Sequence, residues 1–381
     1  MPALSPDLVS DILLRLPVKS LLRFRCLSTL FCSEIDSADF VNAHLNRSIQ
    51  SRTGQKLVVC NSYFMDSTDF YAADFEDDLK PAFLLNNPLK SQHGGNLVCG
   101  SCNGLTLLGM IINLTPLIMG LVIWNPFTRR YKKLPVCPVQ TFSSYRGFMC
   151  FGLGYDSAHD DYKVVMISKA DDSNQVWVFG LKSDFWRRSR DLEDEVTTSV
   201  GRFANGALYW ICKSKCVGFN LKKEVFFDIP LLSDCGPATL FFNSFDALVV
   251  FGGNLFFPKL HDKTIELYLL VSDANDKGGE VVEGSWRKEF TVENVENISH
   301  DVFPLLPLAY SKDGGSILLL DSSGVFWYSL ENKTNQRVII AGLPDVPWSR
   351  YSVCWESLVS VGKDSAFDGA AEERRIDDLE E

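Results

Sequence analysis

Five strand-like runs recur along this chain, each placing an aromatic or large apolar residue ahead of a polar turn. The anchors are Trp124, Phe179, Phe219, Leu269 and Trp327, separated by 55, 40, 50 and 58 residues. Examples are LVIWNPFTRRYKKLP (121–135), VWVFGLKSDFWRRS (176–189), VGFNLKKEVFFDIP (217–230) and VFWYSLENKTNQRVI (325–339), and a weaker unit fits around Phe70. Turn pairs at Asn103-Gly104, Asn205-Gly206, Gly252-Gly253 and Gly314-Gly315 punctuate the strands. A period of roughly 40–50 residues with four strands per unit is the pattern of propeller blades. A pair of β-sandwiches is the other arrangement such strands allow. Six units result if Val353–Val361 (VCWESLVSV) supplies the strand that the first unit lacks. It would then pair with Leu57–Asp74 and remove the exposed sheet edges.

The first 46 residues follow a different rule. Leu8, Ile12 and Leu16 share one helical face, with Val9 and Leu13 beside them. Ser5 is placed to cap this helix, with Pro6 at its first position and Asp7 at its positive end. Pro17 stops it, Ser20 and Ser28 are placed to cap two more, and Asp39–Leu45 suggests a fourth. The polar stretch RSIQSRTGQK (47–56) reads as a linker and 57–362 as the β body. Residues 363–381 carry three basic and eight acidic side chains and are expected to be disordered. So small a helical unit buries too little to stand alone, so part of its apolar surface must rest on the body or on a partner.

This helical string, LSPDLVSDILLRLPVKSLLRFRCLSTLFCSEIDSADFVNAHL, closely resembles an F-box. GSCNGLTLL, LVIWNPFTRRYKKLP, FGLGYDSAHDDYKVV and ESLVS resemble the F-box-associated domain of a plant family often described as F-box/kelch-repeat, with S-locus F-box relatives. The resemblance spans nearly the whole chain except the acidic segment. It implies a mainly β fold: a small helical F-box (1–46) followed by a kelch-like propeller of six blades. It also implies docking onto a Skp-type adaptor and, through it, a cullin. The matching positions are Leu4, Pro6, Leu8, Ile12, Leu13, Leu16 and Pro17, then Leu21, Leu22, Phe24 and Cys26, with Phe31 in the slot usually held by Trp. Leu27, Thr29 and Glu34 stand where the family more often has Val, Lys and Leu. Leu16, Pro17, Leu21, Leu22 and Phe24 are expected to form an exposed patch that the adaptor covers.

Composition narrows the chemistry. A net charge of −11 leaves no cationic excess for a nucleic-acid backbone. No run approaches the roughly 20 apolar residues of a membrane span. Eleven cysteines without a signal-peptide pattern suggest reduced thiols and a cytoplasmic or nuclear setting. Cys99-Gly-Ser-Cys102 has metal or redox spacing, but Cys212 and Cys216 match it poorly, so a structural role is preferred. Asp156, Asp160 and Asp161 lack the Gly and Glu of a calcium loop, and the five histidines are scattered. No cofactor is expected. The reading is a non-catalytic substrate receptor of an SCF ubiquitin ligase. Its rivals are a propeller enzyme and an F-box scaffold working outside a ligase. A protein substrate is expected on the long loops 110–119, 136–146, 190–199, 252–262 and 293–303, with Phe142, Tyr145, Phe256, Phe257 and Phe303 as anchors.

Overall fold

The computed structural model describes residues 5–61, 69–75, 81–89, 96–114, 117–138, 149–169, 174–232, 248–261, 264–272, 284–293, 305–321, 324–343 and 349–362. The acidic segment 363–381 therefore lies outside the described residues. Four helices open the chain: α1 (Pro6–Leu13), α2 (Val18–Phe24), α3 (Thr29–Ile35) and α4 (Ala38–Ser51). Serine side chains close three N-termini: Ser5 accepts from the Leu8 amide, Ser28 from Phe31 and Ser37 from Phe40. The second helix instead begins directly after Pro17 without a side-chain cap, so Ser20 lies inside it.

Half of the expected linker, 47–51, is helix, and Gln55 and Lys56 already belong to the first strand. The inward face of α4 runs on through Phe40, His44, Leu45 and Ser48, while its polar residues face solvent. Polarity in 47–51 thus belongs to the last turn of an amphipathic helix, where Ser48 faces in and Gln50 and Ser51 face out. The turn out of it is Arg52, at φ 52°, and the β body starts at Gln55.

The body is a six-bladed propeller of four-stranded antiparallel sheets. The first blade holds β1 (Gln55–Asn61), β2 (Asp69–Asp74) and β3 (Phe83–Leu85); the second holds β4 (Asn96–Cys102), β5 (Leu105–Leu114), β6 (Leu117–Asn125) and β7 (Arg130–Lys133). The third comprises β8 (Met149–Asp156), β9 (Asp161–Lys169), β10 (Asn174–Gly180) and β11 (Phe185–Arg188). The fourth comprises β12 (Arg202–Ala204), β13 (Ala207–Ile211), β14 (Lys215–Asn220) and β15 (Val225–Pro230). The fifth is β16 (Val249–Phe251), β17 (Asn254–His261), β18 (Thr264–Ser272) and β19 (Gly284–Val292). The sixth is β20 (Leu306–Tyr310), β21 (Ser316–Asp321), β22 (Gly324–Ser329) and β23 (Asn335–Arg337). Finally β24 (Ser349–Trp355) returns to pair with β1, with Leu57 opposite Val353, and completes the first blade. The closing strand was expected at 353–361. Residues 353–355 do pair with β1, but the strand begins at Ser349 and residues 356–361 leave the sheet for another task.

Every anchor falls on the third strand of its blade: Phe70 on β2, Trp124 on β6, Phe179 on β10, Phe219 on β14, Leu269 on β18 and Trp327 on β22. Blades splay apart with distance from the axis, so larger side chains are needed to fill the gap there. Phe70 and Trp124 meet across neighbouring blades at 5.4 Å between ring centroids.

The stretch YDSAHDDYK spends its charges inside the protein. Asp156 is buried and accepts from Lys163 Nζ at 2.7 Å and from the His159 ring at 2.7 Å. The same ammonium reaches the Leu221 carbonyl at 2.6 Å and Glu224 at 2.8 Å, tying the third blade to the fourth. Arg187 also donates to Glu224. Asp160 accepts from Tyr155 and Lys182, and Asp161 from the Lys182 amide. These carboxylates serve as inter-strand and inter-blade ties.

Cys99 and Cys102 are both buried in one apolar cluster with Leu105, Leu107 and Phe151. Burial, and then the nearby Cys354 thiol, push the Cys102 thiol well above its ordinary value, which disfavours the thiolate that a metal needs. Purified protein is expected to carry no stoichiometric zinc and to keep adaptor binding after Cys99→Ser/Cys102→Ser. Zinc near one equivalent that disappears in the variant would overturn that assignment.

Candidate functional site

The helical unit sorts its leucines into two populations. Leu13, Val18, Leu21, Ile35 and Phe40 form its core, closed from the propeller side by Leu358. Leu16, Leu22, Phe24 and Phe31 pack half-buried against that core, with Phe24 and Phe31 edge to face at 6.1 Å. His44 is buried, and its Nε2 donates to the Leu16 carbonyl at 2.9 Å. The outward residues are Leu8 (46% exposed), Ile12 (44%), Leu27 (67%) and Leu30 (73%), with Pro17 and Cys26 also exposed. The same helices carry exposed polar pairs: Arg15 and Arg47 with Asp11, Arg25 with Asp36, and Ser10 donating to Glu34. Four large apolar side chains left exposed on so small a helical unit are candidates for contact with a partner.

This corrects the expected patch. Leu21 (0% exposed) and Leu13 (3%) are interior, so neither can be presented to a partner. Leu4 lies outside the described residues, and Pro6 opens α1. Leu27 and Leu30, the most exposed leucines of the unit, lay outside the expected patch. Their signal was available: two leucines flanking the Ser28 cap have no place on the inward face of so short a helix.

Three sequence motifs meet where the helical unit packs on the propeller. Asn125, fully buried, donates to the Ser357 and Val359 carbonyls at 3.0 and 2.9 Å and accepts from the Phe127 and Thr128 amides. Gly104, at φ +84°, sits so close to Ser357 Oγ and the Trp355 carbonyl that a Cβ would lie 2.3 and 2.5 Å from them. Val359 and Val361 then pack with Leu45 and Cys102. WNPFT, SCNGL and ESLVS thus form one seam between propeller and helices. Beyond it, Arg52 lies 5.2 Å over the Tyr310 ring and donates to the Ser311 carbonyl. Asn125→Ala is expected to cost about 1–3 kcal/mol by leaving two carbonyls and two amides unpaired. Chemical denaturation reads this directly, and an unchanged midpoint would count against the clamp.

The opposite end of the propeller departs from the loop assignment. Residues 252–262 are not a loop: Gly252-Gly253 turns directly into β17, where Phe256 and Phe257 are 2% and 3% exposed. Phe256 stacks on Phe251 at 4.2 Å, and Phe257 meets Trp286 at 5.7 Å. Both are core residues, not anchors. Likewise 110–119 is mostly the hairpin of β5 and β6. Phe142, Tyr145 and Phe303 lie outside the described residues. Connections between blades (86–95, 134–148, 189–201, 231–248, 293–305 and 338–348) start and finish on the face away from the helices, because strand direction alternates within each blade. On the helical side, a channel of about 250 Å³ opens among the first strands, lined by Asn103, Arg202, Asn205, Tyr351 and Ile49 of α4.

Comparison with known proteins agrees with this division. A family model described as F-box domain matches residues 1–42, and one described as F-box associated beta propeller domain matches 74–357. F-box protein CPR1 of Arabidopsis thaliana is 30% identical over 377 residues, covering 90% of this chain and 86% of that protein. A second Arabidopsis thaliana F-box protein is 27% identical, covering 86% of this chain and 84% of its own length. An F-box/kelch-repeat protein of the same organism is 24% identical over 60% of this chain and 66% of its own.

Proposed function

The chain belongs to the plant F-box proteins that carry an F-box-associated β-propeller, and from that premise we propose that it is the substrate-recognition subunit of a cullin-based SCF ubiquitin ligase. The observation that carries the proposal is the outward exposure of Leu8, Ile12, Leu27 and Leu30 on a helical unit that packs, through Leu358 and Val359, on a segment Asn125 of the propeller holds by buried hydrogen bonds. A Skp-type adaptor covers that surface and links the chain to a cullin. A protein substrate docks on the blade-to-blade connections of the far face. The chain performs no chemistry; it raises the effective concentration of a substrate lysine near a charged ubiquitin carrier. A reducing cytoplasmic or nuclear setting suits its buried cysteines.

Co-purification with adaptor and cullin is the direct test. Affinity capture with the proteasome blocked, from intact protein and from protein carrying Leu27→Asp/Leu30→Asp, then separates a receptor from a scaffold. A receptor accumulates ubiquitinated partners only when intact. A scaffold acting outside a ligase holds the same partners, unmodified, in both.

A further inference from the structure

The outer edge of the second blade is unlike the others. Its edge strand β7, with the turn before it, presents Arg129, Arg130 and Lys133, all exposed and none with an acidic partner among the described residues. On the comparable outer strands, cations are matched: Arg187 by Glu224, Arg188 by Asp191, Arg287 by Glu289 and Lys288 by Glu266. Only Lys132 of the RRYKK run is neutralised, by Asp184 at 3.0 Å. In a chain of net charge −11, three uncompensated cations along one free β edge form a local positive field.

The described chain passes the start of this edge three residues before it finishes. Asn125 pairs with Arg130 across β6 and β7, and the same Asn125 side chain holds the Val359 carbonyl. Three residues later, at the exposed Gly362, begins the acidic segment 363–381, with eight carboxylates against three cations. Nineteen residues reach the edge with length to spare at roughly 3.3 Å per extended residue, and tethering gives a millimolar-order local concentration.

We propose that the acidic segment 363–381 docks in cis on the Arg129/Arg130/Lys133 edge of the second blade. An exposed edge offers unpaired backbone groups as well as charge, so an extended acidic segment can add to it as a further strand. The site then takes acidic peptide chemistry, and an acidic segment of another protein must displace the resident one.

Carbodiimide coupling on the full chain tests this, because it joins an amine to a carboxylate only in contact. Peptide mapping is expected to show Lys133 joined to carboxylates among Asp364–Glu381 at low salt. The yield should fall by roughly fivefold or more at 1 M salt and in Arg129→Glu/Arg130→Glu, which keeps the Lys133 amine. A variant with the acids of 364–381 changed to amides should bind a labelled oligoglutamate at least roughly fivefold tighter than the intact chain. Absence of the Lys133 coupling, or coupling indifferent to Arg129→Glu/Arg130→Glu, overturns the proposal. So does equal oligoglutamate binding by both proteins, which would reserve the edge for acidic segments acting in trans.

Discussion

Lys163→Met is expected to lower the stability of the propeller by about 3–5 kcal/mol, because it strands buried negative charge between two blades. The Lys163 ammonium lies 2.7 Å from Asp156 and 2.8 Å from Glu224, and only Arg187 remains to answer Glu224 once it is gone. The pH dependence gives a second, signed readout. Burial pushes the Asp156 carboxyl up, but the bonds from Lys163 and His159 outweigh it and hold the group below its ordinary value. A carboxyl lowered in the folded state contributes stability above its unfolded pKa of about 4 and loses it as pH falls through the folded value. Wild-type protein should therefore lose this contribution only in acid, below pH about 4. In Lys163→Met the burial acts without its main opponent, the Asp156 carboxyl rises, and the penalty should shrink as pH is lowered from neutral. Urea unfolding from roughly pH 3 to 8 measures both, with the range set by the usual carboxylate values. A loss under about 1 kcal/mol, or a penalty that grows toward acid, would contradict the inter-blade tie.

Leu27→Asp/Leu30→Asp is expected to weaken adaptor binding by on the order of a hundredfold or more, since each change buries an unpaired charge at the centre of the surface. Both side chains are mostly exposed, so the folding midpoint should move by only about 0.5 kcal/mol. Leu16→Asp/Leu21→Asp is the instructive contrast. Leu21 is fully buried, and a carboxylate there should melt the helical unit itself. Adaptor loss with an intact unfolding transition in the first variant, and without one in the second, separates docking from folding. Full adaptor recovery by the first variant would move the docking surface elsewhere.

The propeller was legible because its signals are local. Turn glycines, alternating apolar strands and one large side chain per third strand recur whether or not the partner blades are known. The helical boundaries were nearly as legible, since Ser5 and Ser28 act within three residues of themselves. Reading failed where the same local pattern has two meanings. Phe256 and Phe257 follow a Gly-Gly turn and looked like loop residues, yet they fill the space beside Phe251 and Trp286. Residues 47–51 looked like a linker, yet they are the last turn of α4, with Ser48 buried and Gln50 and Ser51 exposed.

Which leucine of the helical unit faces water was decided only in the tertiary structure. Leu21 and Leu30 are equally apolar in the sequence; one is covered by Ile35, Phe40 and the distant Leu358, and the other is not. The same holds for Asn125, whose two carbonyl partners lie more than two hundred residues away, and for Lys163, whose second acid belongs to the next blade. Strand period, capping and turn chemistry depend on neighbours in the chain, so the sequence alone determined a six-unit β body behind a short helical module. Burial and charge pairing depend on neighbours in space, and only ring closure brings ESLVS under the helices and Glu224 to Lys163.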